Sequence, residues 1–169
     1  MKKITTSRLT LAAVIAALYA GLTLALTPIA FGPLQFRAAE ALTLLPLYFP
    51  ESIPGLFVGC VIANAVGVAL GAAGPWDILI GSLATLGAAI VTSRIKNRFF
   101  AALPPVVLNA LLVGPMLAML FTERAAWSAA IPYQMLTVGL GEAAVVYLLG
   151  VPLSYVIERS LPALQKRLR

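Results

Sequence analysis

The sequence predicts an all-α integral membrane protein in which residues 1–169 form a single domain, a bundle of six transmembrane helices. Three observations lead to this prediction. The chain is 61% hydrophobic and only 11% charged, whereas soluble domains are about 25% charged. Six apolar segments follow one another along the chain. Basic residues cluster between alternate segments. A surface with so few charges is not suited to water, so the expected solvent is lipid.

The apolar segments cover residues 9–26, 38–49, 53–70, 78–92, 99–121 and 129 to 149 or beyond. The first is expected to be a retained spanning helix, because its 18 apolar residues exceed the usual apolar core of a signal peptide. The second is shorter than the roughly 20 residues that a span needs, and Pro46 interrupts it. A crossing there requires a locally thin membrane or a helix end buried in protein.

The positions of the basic residues predict the orientation. If all six segments cross and the N-terminus is inside, ten of the 12 lysines and arginines lie on the cytoplasmic side. Only Arg37 and Arg124 then lie outside, which favours cytoplasmic N and C termini. The inner residues are Lys2, Lys3, Arg8, Arg94, Lys96, Arg98, Arg159, Lys166, Arg167 and Arg169. This bias accounts for the net charge of +6, so no nucleic-acid partner is expected.

The residue types exclude several classes of site. The chain has one cysteine and no histidine, which rules out an internal disulfide and a histidine or multi-cysteine metal site. Cys60 is predicted to be a small buried apolar residue. The sequence contains no GxxxxGK[ST] phosphate loop and no Ser–Lys or paired-aspartate signature. We therefore expect neither an enzyme nor a bound metal or cofactor.

Four polar side chains lie within predicted spans. Glu142, in "YQMLTVGLGEAAVVYLLG", costs about 2.5–3.5 kcal/mol at membrane depth, so it is expected to face the bundle as a ligand contact or proton site. The alternative is a structural hydrogen bond to Asn109 or to the backbone. Asn64, Asn109 and Gln134 either join helices or contact a ligand. The Gly–Pro step at residues 114–115 is expected to break the fifth helix and expose its carbonyls.

The stretch "QFRAAEALTLLP" places Arg37 and Glu40 three residues apart at the start of the second helix. One interpretation is a helix-start ion pair at i,i+3. The other is a pair of recognition groups at the mouth of a cavity, covered by the proline- and glycine-containing loop at residues 28–33. Asp77, in "GPWDIL", is interpreted as a helix N-cap or first-turn acid.

Small residues repeat at spacing four along the first helix. Such rows let helix backbones approach closely in lipid. Packing inside the bundle and docking onto another membrane subunit are both open interpretations. The two rows are Ala12, Ala16 and Ala20, and Ala13, Ala17 and Gly21.

The stretches "QFRAAEALTLLP", "IPGLFVGCVIANAVG" and "WDILIGSLATL" resemble the QueT family over residues 31 to about 92. Members of that family are regarded as S components of energy-coupling factor (ECF) transporters for queuosine precursors. The resemblance implies a six-helix subunit of the bacterial cytoplasmic membrane that binds a 7-deazaguanine near the outer face. It also implies delivery inward with a T subunit and two ATPases. It assigns the docking role to Ala12, Ala16 and Ala20.

The chemistry of a 7-deazaguanine suits the polar residues of this chain. Glu142 or Glu40 would accept the adjacent ring and amino N–H donors as a charge-assisted pair. The second carboxylate would hold an aminomethyl cation. Asn64, Asn109 and Gln134 would meet the carbonyl, and Arg37 completes the expected site. Candidate stacking residues are Phe31, Phe36, Tyr48, Trp76 and Tyr133.

Other functions remain open at this stage. Tryptophan or another vitamin-like nutrient would fit the same scaffold. A stand-alone proton-coupled carrier would use Glu142 as its titrating group. A purely structural subunit would not need polar groups gathered toward the outer half of the bundle.

Overall fold

The computed structural model describes residues 5–32 and 35–168, with the side chains of residue 161 and of residues 163–168 outside the description. Predictions involving Lys2, Lys3, Pro33, Lys166, Arg167 and Arg169 therefore lie outside it in whole or in part. Within the described residues, every regular element is a helix. The six main helices are α1 (Thr6–Ala25), α2 (Ala38–Leu47), α3 (Ser52–Ala69), α4 (Asp77–Thr92), α5 (Arg98–Phe121) and α6 (Arg124–Ser160).

These helices match the six predicted apolar segments. Four of them, α1, α3, α5 and α6, are long and apolar enough to cross a membrane. Helical geometry continues beyond α6 to Leu168. An 18-residue helix such as α3 is about 27 Å long, close to the hydrocarbon thickness of a bilayer. The all-α prediction is confirmed.

Helix α2 shows how a short apolar segment is accommodated. Its ten residues have 3₁₀ geometry, so it is about 20 Å long. Residues 39–46 are all buried, and the helix packs against α1, α4 and α6. Protein therefore surrounds the middle of α2, whereas its end residues, Ala38 and Leu47, are only half-buried. The prediction that an end of this segment is buried in protein is met only in part.

Two of the helices contain a π-helical turn just before a proline. The turns span Asn109–Val113 in α5 and Val146–Gly150 in α6. Proline lacks an N–H group and crowds the carbonyl of the preceding turn, and a wider turn relieves this. In α5 the Gly114 N–H donates to the Asn109 carbonyl across the wide turn. The prediction that the Gly–Pro step breaks this helix was wrong.

Two ends of the bundle can be distinguished by their contacts. At the basic end, Arg8 Nε lies 3.2 Å from Glu51 Oε1, and Arg98 forms an ion pair with Glu158. At the loop end, the residues between α1 and α2 meet the start of α4. The helices therefore alternate in direction, and the basic residues near residues 8, 94–98 and 159 share one end. This is the grouping that the charge pattern predicts.

Helix α1 uses its first row of small residues against α3. A Cβ added to Gly55 would lie 2.6 Å from the Ala12 carbonyl oxygen, and one added to Gly59 would lie 2.7 Å from that of Ala16. Ala16 and Ala20 are buried. Glycine is required where backbones approach this closely. Ala12 is half-buried. The docking role that the resemblance implies for Ala12, Ala16 and Ala20 stays a prediction.

The second row of α1 faces outward. Ala13, Ala17 and Gly21 are exposed, and a Cβ added to Gly21 would have no neighbour within 4 Å among the described residues. Behind α1, Cys60 is fully buried in a cluster that includes Ile15 and Leu56. The prediction of Cys60 as a small buried residue is confirmed.

Candidate functional site

A polar cluster lies inside this otherwise apolar bundle. Each member is at most 6% exposed. Burial of polar groups is costly unless they find hydrogen-bond partners, so their convergence calls for a specific reason. Contributions come from α1, α2, α3, α4, α5 and α6. The cluster comprises Tyr19, Arg37, Glu40, Asn64, Asp77, Thr85, Asn109 and Glu142.

Two carboxyl groups form the centre of the cluster. Glu40 Oε1 accepts hydrogen bonds from the Tyr19 hydroxyl and from Thr85 Oγ1 at 3.1 Å. The Glu142 carboxyl group lies beside that of Glu40. Glu40 Oε2 and Glu142 Oε1 have no hydrogen-bond partner among the described residues. Adjacent carboxylates repel each other when both are ionised, so a proton or a donor-bearing ligand between them is stabilising.

Asn109 lies near Glu142, but the hydrogen bond of the structural alternative is not found among the described residues. The Asn109 Nδ2 donates to the Pro105 carbonyl at 3.1 Å, one turn earlier in α5. The π-helical turn that begins at Asn109 shifts the helix face by one residue. Turns of this kind occur frequently at functional sites.

Arg37 does not pair with Glu40. Its backbone is extended before α2 begins, and its side chain turns toward α4, where Nη2 lies 3.4 Å from Asp77 Oδ1. Arg37 Nε also donates to the Ala30 carbonyl at 3.3 Å, and its guanidinium carbon lies 5.0 Å from the centre of the Phe31 ring. The i,i+3 interpretation was wrong. Arg37 ties the loop after α1 to α4.

Asp77 is a partner of this arginine. Its Oδ1 meets Arg37, and its Oδ2 accepts the Gly74 N–H at 2.9 Å. The carboxylate thus binds the loop that precedes α4 and does not cap the N–H groups of the helix. Asp77 lies in the first turn of α4, which confirms one of the two interpretations of the sequence. The other, an N-cap, was wrong, because the carboxylate binds Arg37 and the Gly74 N–H.

Asn64 joins α3 to the start of α4. Its Nδ2 donates to the Asp77 carbonyl at 2.7 Å and lies 3.4 Å from Ser82 Oγ. Its Oδ1 has no partner among the described residues. The Asn64 Nδ2 group therefore joins two helices, whereas its Oδ1 remains available to accept a hydrogen bond in the same buried region.

Gln134 is not brought into the cluster. It is half-buried, and its Oε1 accepts a hydrogen bond from Thr137 within α6 at 3.1 Å. It precedes Glu142 by eight residues, or about 12 Å along a helix. Its predicted role in binding stays a prediction that the geometry does not support.

The candidate stacking residues divide by position. Trp76 and Tyr133 are more than half exposed, and the Tyr48 hydroxyl donates to the Ser154 carbonyl at the basic end. Phe36 is half-buried in the loop before α2. Phe31 packs against both Arg37 and Gly67, so it is the candidate among these five that is best placed to contact a molecule in the cluster.

Sequence reasoning interpreted Asp77 only as a helix-start acid and missed two further members of the cluster, Tyr19 and Thr85. Tyr19 lies in the small-residue helix "LAAVIAALYAGL", where a large phenol between alanines is the signal that was available. Thr85 carries no such signal, because threonines are common on membrane helices and bond their own backbone. Both become visible as Glu40 partners only when α1, α2 and α4 are packed together.

Comparison with known proteins gives consistent matches. A family model described as "QueT transporter" matches residues 9–159. The curated "Queuosine precursor transporter QueT" of Lactococcus lactis subsp. cremoris (strain MG1363) is 35% identical over 107 residues, which is 59% of this chain and 60% of that protein. The chain thus spans 60% of the length of the curated relative that it matches. No solved structure matches the chain.

Proposed function

The chain belongs to the QueT transporter family, and on that premise we propose that it transports a queuosine precursor across a bacterial cytoplasmic membrane. It crosses the membrane six times, with both termini in the cytoplasm. The alternating direction of the helices and the shared basic end support this topology. The similarity to a queuosine precursor transporter supports the ligand class.

The unpartnered acceptors of the polar cluster are the observation that carries the proposal. Glu40 Oε2, Glu142 Oε1 and Asn64 Oδ1 are buried without partners among the described residues. A 7-deazaguanine presents adjacent ring and amino N–H donors that one carboxylate accepts together. A precursor with an aminomethyl group adds a cation for the other carboxylate. A donor-rich ligand satisfies the atoms that the protein leaves without donors.

Access to the cluster depends on the loop between α1 and α2. All cluster members are buried, so a ligand needs this loop or a helix to move before it can bind. Arg37 holds the loop down through Asp77 and the Ala30 carbonyl. We therefore assign Arg37 to closing the site rather than to direct contact with the purine-like ring. The loop acts as a lid over the carboxyl pair.

Energy for transport comes from other subunits in this proposal. The sequence has no phosphate-binding loop for ATP, so a T subunit and two ATPases supply the driving force. Docking uses α1, whose second row, Ala13, Ala17 and Gly21, is exposed, whereas Ala16 and Ala20 of the first row are buried. Beside the second row, an apolar groove of about 570 Å³ runs between α1 and α3 past Ala12 and Val58.

A second candidate function rests on the contact between Glu40 and Glu142. A carboxyl pair that shares one proton also suits a stand-alone proton-coupled carrier. The two functions differ in their requirements. The purified chain alone in vesicles takes up ligand in response to a pH gradient only if it is such a carrier. Uptake that requires added ATPases supports the multisubunit transporter.

The binding role is tested by Glu142→Gln. The substitution keeps the size of the side chain and removes its negative charge. We expect the affinity for a 7-deazaguanine precursor, measured by calorimetry on the purified protein, to fall about 100-fold, because hydrogen bonds to charged groups contribute about 1.5–3 kcal/mol. Unchanged affinity would show that Glu142 does not bind the ligand.

Glu123→Gln provides the matched control. Glu123 is exposed at the loop end, so the same chemical change there should leave the affinity within about twofold. Thermal unfolding of both variants establishes whether each remains folded. A folded Glu142→Gln protein that loses binding, next to a Glu123→Gln protein that keeps it, supports the assignment.

A further inference from the structure

A second polar site lies at the basic end, far from the carboxyl pair. A groove of about 410 Å³ opens between the loop that joins α4 to α5 and the later part of α6. It is separate from the polar cluster, since no cluster member lines it. Its polar lining residues are Tyr48, Ser93, Arg94, Lys96, Arg98 and Glu158.

The groove has an excess of positive charge. It is lined by three basic residues and one carboxylate, which leaves a net charge of +2. Glu158 pairs with Arg98, so the exposed Arg94 and Lys96 have no counter-ion among the lining residues. A site with this charge attracts an anion.

Arg98 has an N–H donor that no described residue accepts. Its Nη1 is buried and has no hydrogen-bond partner among the described residues. Its guanidinium carbon lies 3.8 Å from the centre of the Tyr155 ring, and Nη2 meets Glu158. These contacts fix the plane of the guanidinium group. An arginine held in one plane with a free N–H edge is well suited to a phosphate oxygen.

Apolar side chains flank the charged groove. Phe99 and Phe100 follow Arg98 directly and are 53% and 62% exposed. On α6, Val156 is 61% exposed beside the half-exposed Tyr155. A soluble phosphate compound has no apolar part that would make use of these exposed side chains. A phospholipid does, because its acyl chains lie along apolar side chains while its headgroup reaches the cations.

We propose that this groove binds the phosphate group of an anionic phospholipid from the cytoplasmic leaflet. Arg94, Lys96 and the free edge of Arg98 contact the phosphate, and the acyl chains lie along Phe99 and Phe100. Basic pockets between membrane helices on the cytoplasmic side are suited to anionic headgroups. The site depends on the proposed membrane topology but not on the identity of the transported ligand.

The test uses the double variant Arg94→Ala with Lys96→Ala, in which both changed residues are exposed. Binding of single phosphatidylglycerol molecules to the purified full chain is measured by native mass spectrometry, with phosphatidylcholine of the same acyl chains as the neutral lipid. The full chain should bind phosphatidylglycerol more tightly than phosphatidylcholine. The double variant should lose about 25-fold in phosphatidylglycerol affinity, since each basic residue contributes about fivefold.

The control variant is Arg124→Ala with Arg159→Ala, which removes the same number of charges from exposed positions outside the groove lining. It should keep its preference for phosphatidylglycerol. Equal loss in both double variants would show that net charge alone is responsible and would overturn the site. Equal binding of the two lipids by the unsubstituted chain would also overturn it.

A second arm separates lipid from free phosphate. Glycerol phosphate at millimolar concentration should not displace phosphatidylglycerol; displacement at comparable affinity would overturn the lipid assignment. Calorimetry with a 7-deazaguanine precursor is performed on the same proteins. Loss of lipid binding with intact precursor binding in the Arg94→Ala, Lys96→Ala protein keeps this inference distinct from the proposed transport function.

Discussion

The polar cluster and the basic end contain the same kinds of ion pair in different surroundings. In the cluster, the side chains of Arg37 and Asp77 are 5% and 2% exposed. At the basic end, those of Arg8 and Glu51 are 48% and 20% exposed. The first pair has only protein around it, whereas the second keeps contact with water. Burial, rather than charge, therefore separates the two regions.

The difference follows from the cost of desolvation. Water screens an exposed pair and replaces either partner when it is lost. A buried pair is held together because each charge without its partner is strongly destabilised. The buried pair of Arg37 and Asp77 can consequently hold the loop between α1 and α2 closed over the carboxyl groups. The exposed pairs at the basic end leave nearby basic side chains accessible to anions from outside the protein. Three substitutions test this comparison.

The largest effect is expected for Arg37→Met. It leaves Asp77 buried without a compensating charge, so the free energy of unfolding should fall by about 3–5 kcal/mol. Unfolding in mixed detergent micelles, followed by circular dichroism, measures the change. Adding Asp77→Asn to this variant should recover part of the loss, because no unpaired charge then remains. A loss below about 1 kcal/mol in the single variant would mean that the pair behaves like an exposed one.

An intermediate effect is expected for Tyr19→Phe. The change removes the hydroxyl that donates to Glu40, while Thr85 still donates to the same oxygen. The free energy of unfolding should fall by about 1–2 kcal/mol, the cost of a lost buried hydrogen bond. Tyr133→Phe is the control, because Tyr133 is 63% exposed and should change stability by less than about 0.5 kcal/mol. Equal effects at the two tyrosines would contradict the buried contact.

The smallest effect is expected for Arg8→Met at the basic end. Its ion pair with Glu51 is half exposed, and such pairs contribute about 0–1 kcal/mol. The same unfolding measurement at low and at high salt should show that any effect shrinks as ions screen the pair. A loss comparable to that of Arg37→Met would remove the distinction between the two regions.

The helices could be predicted from the sequence because hydropathy is a local property. The start and length of α1, α3 and α4 agree with their apolar segments to within a few residues. The effect of the Gly–Pro step in α5 was misjudged, since a π-helical turn accommodates the proline without ending the helix. Packing against neighbouring helices stabilises that turn. The row of Ala12, Ala16 and Ala20 was recognised as a packing surface, but its partner, the glycines of α3, lies more than 30 residues away.

The polar cluster was predicted in part. Glu142, Asn64 and Asn109 were identified because a polar residue at membrane depth is costly without a specific role, although the same argument also selected Gln134. Glu40 was identified as one of a charged pair at the start of the second helix. The partners of the polar residues were not predicted. Arg37 was paired with Glu40, the nearest carboxylate in sequence, whereas the structure pairs it with Asp77, 40 residues away. Local spacing favours i,i+3 contacts, but an extended backbone at Arg37 removes that option.

Hydropathy and composition were sufficient to predict that this chain is an apolar helical bundle, which segments form its helices, and that a charged residue inside it is exceptional. Those properties depend on the free energy of transfer of each segment from water into lipid, and this free energy follows from the composition of the segment. The packing of the helices was needed to show that Tyr19 and Thr85 donate to Glu40 and that Asp77 pairs with Arg37. It also showed that Gln134 lies outside the cluster. Such pairings depend on distances between side chains far apart in the chain, and these distances are set by how the helices pack.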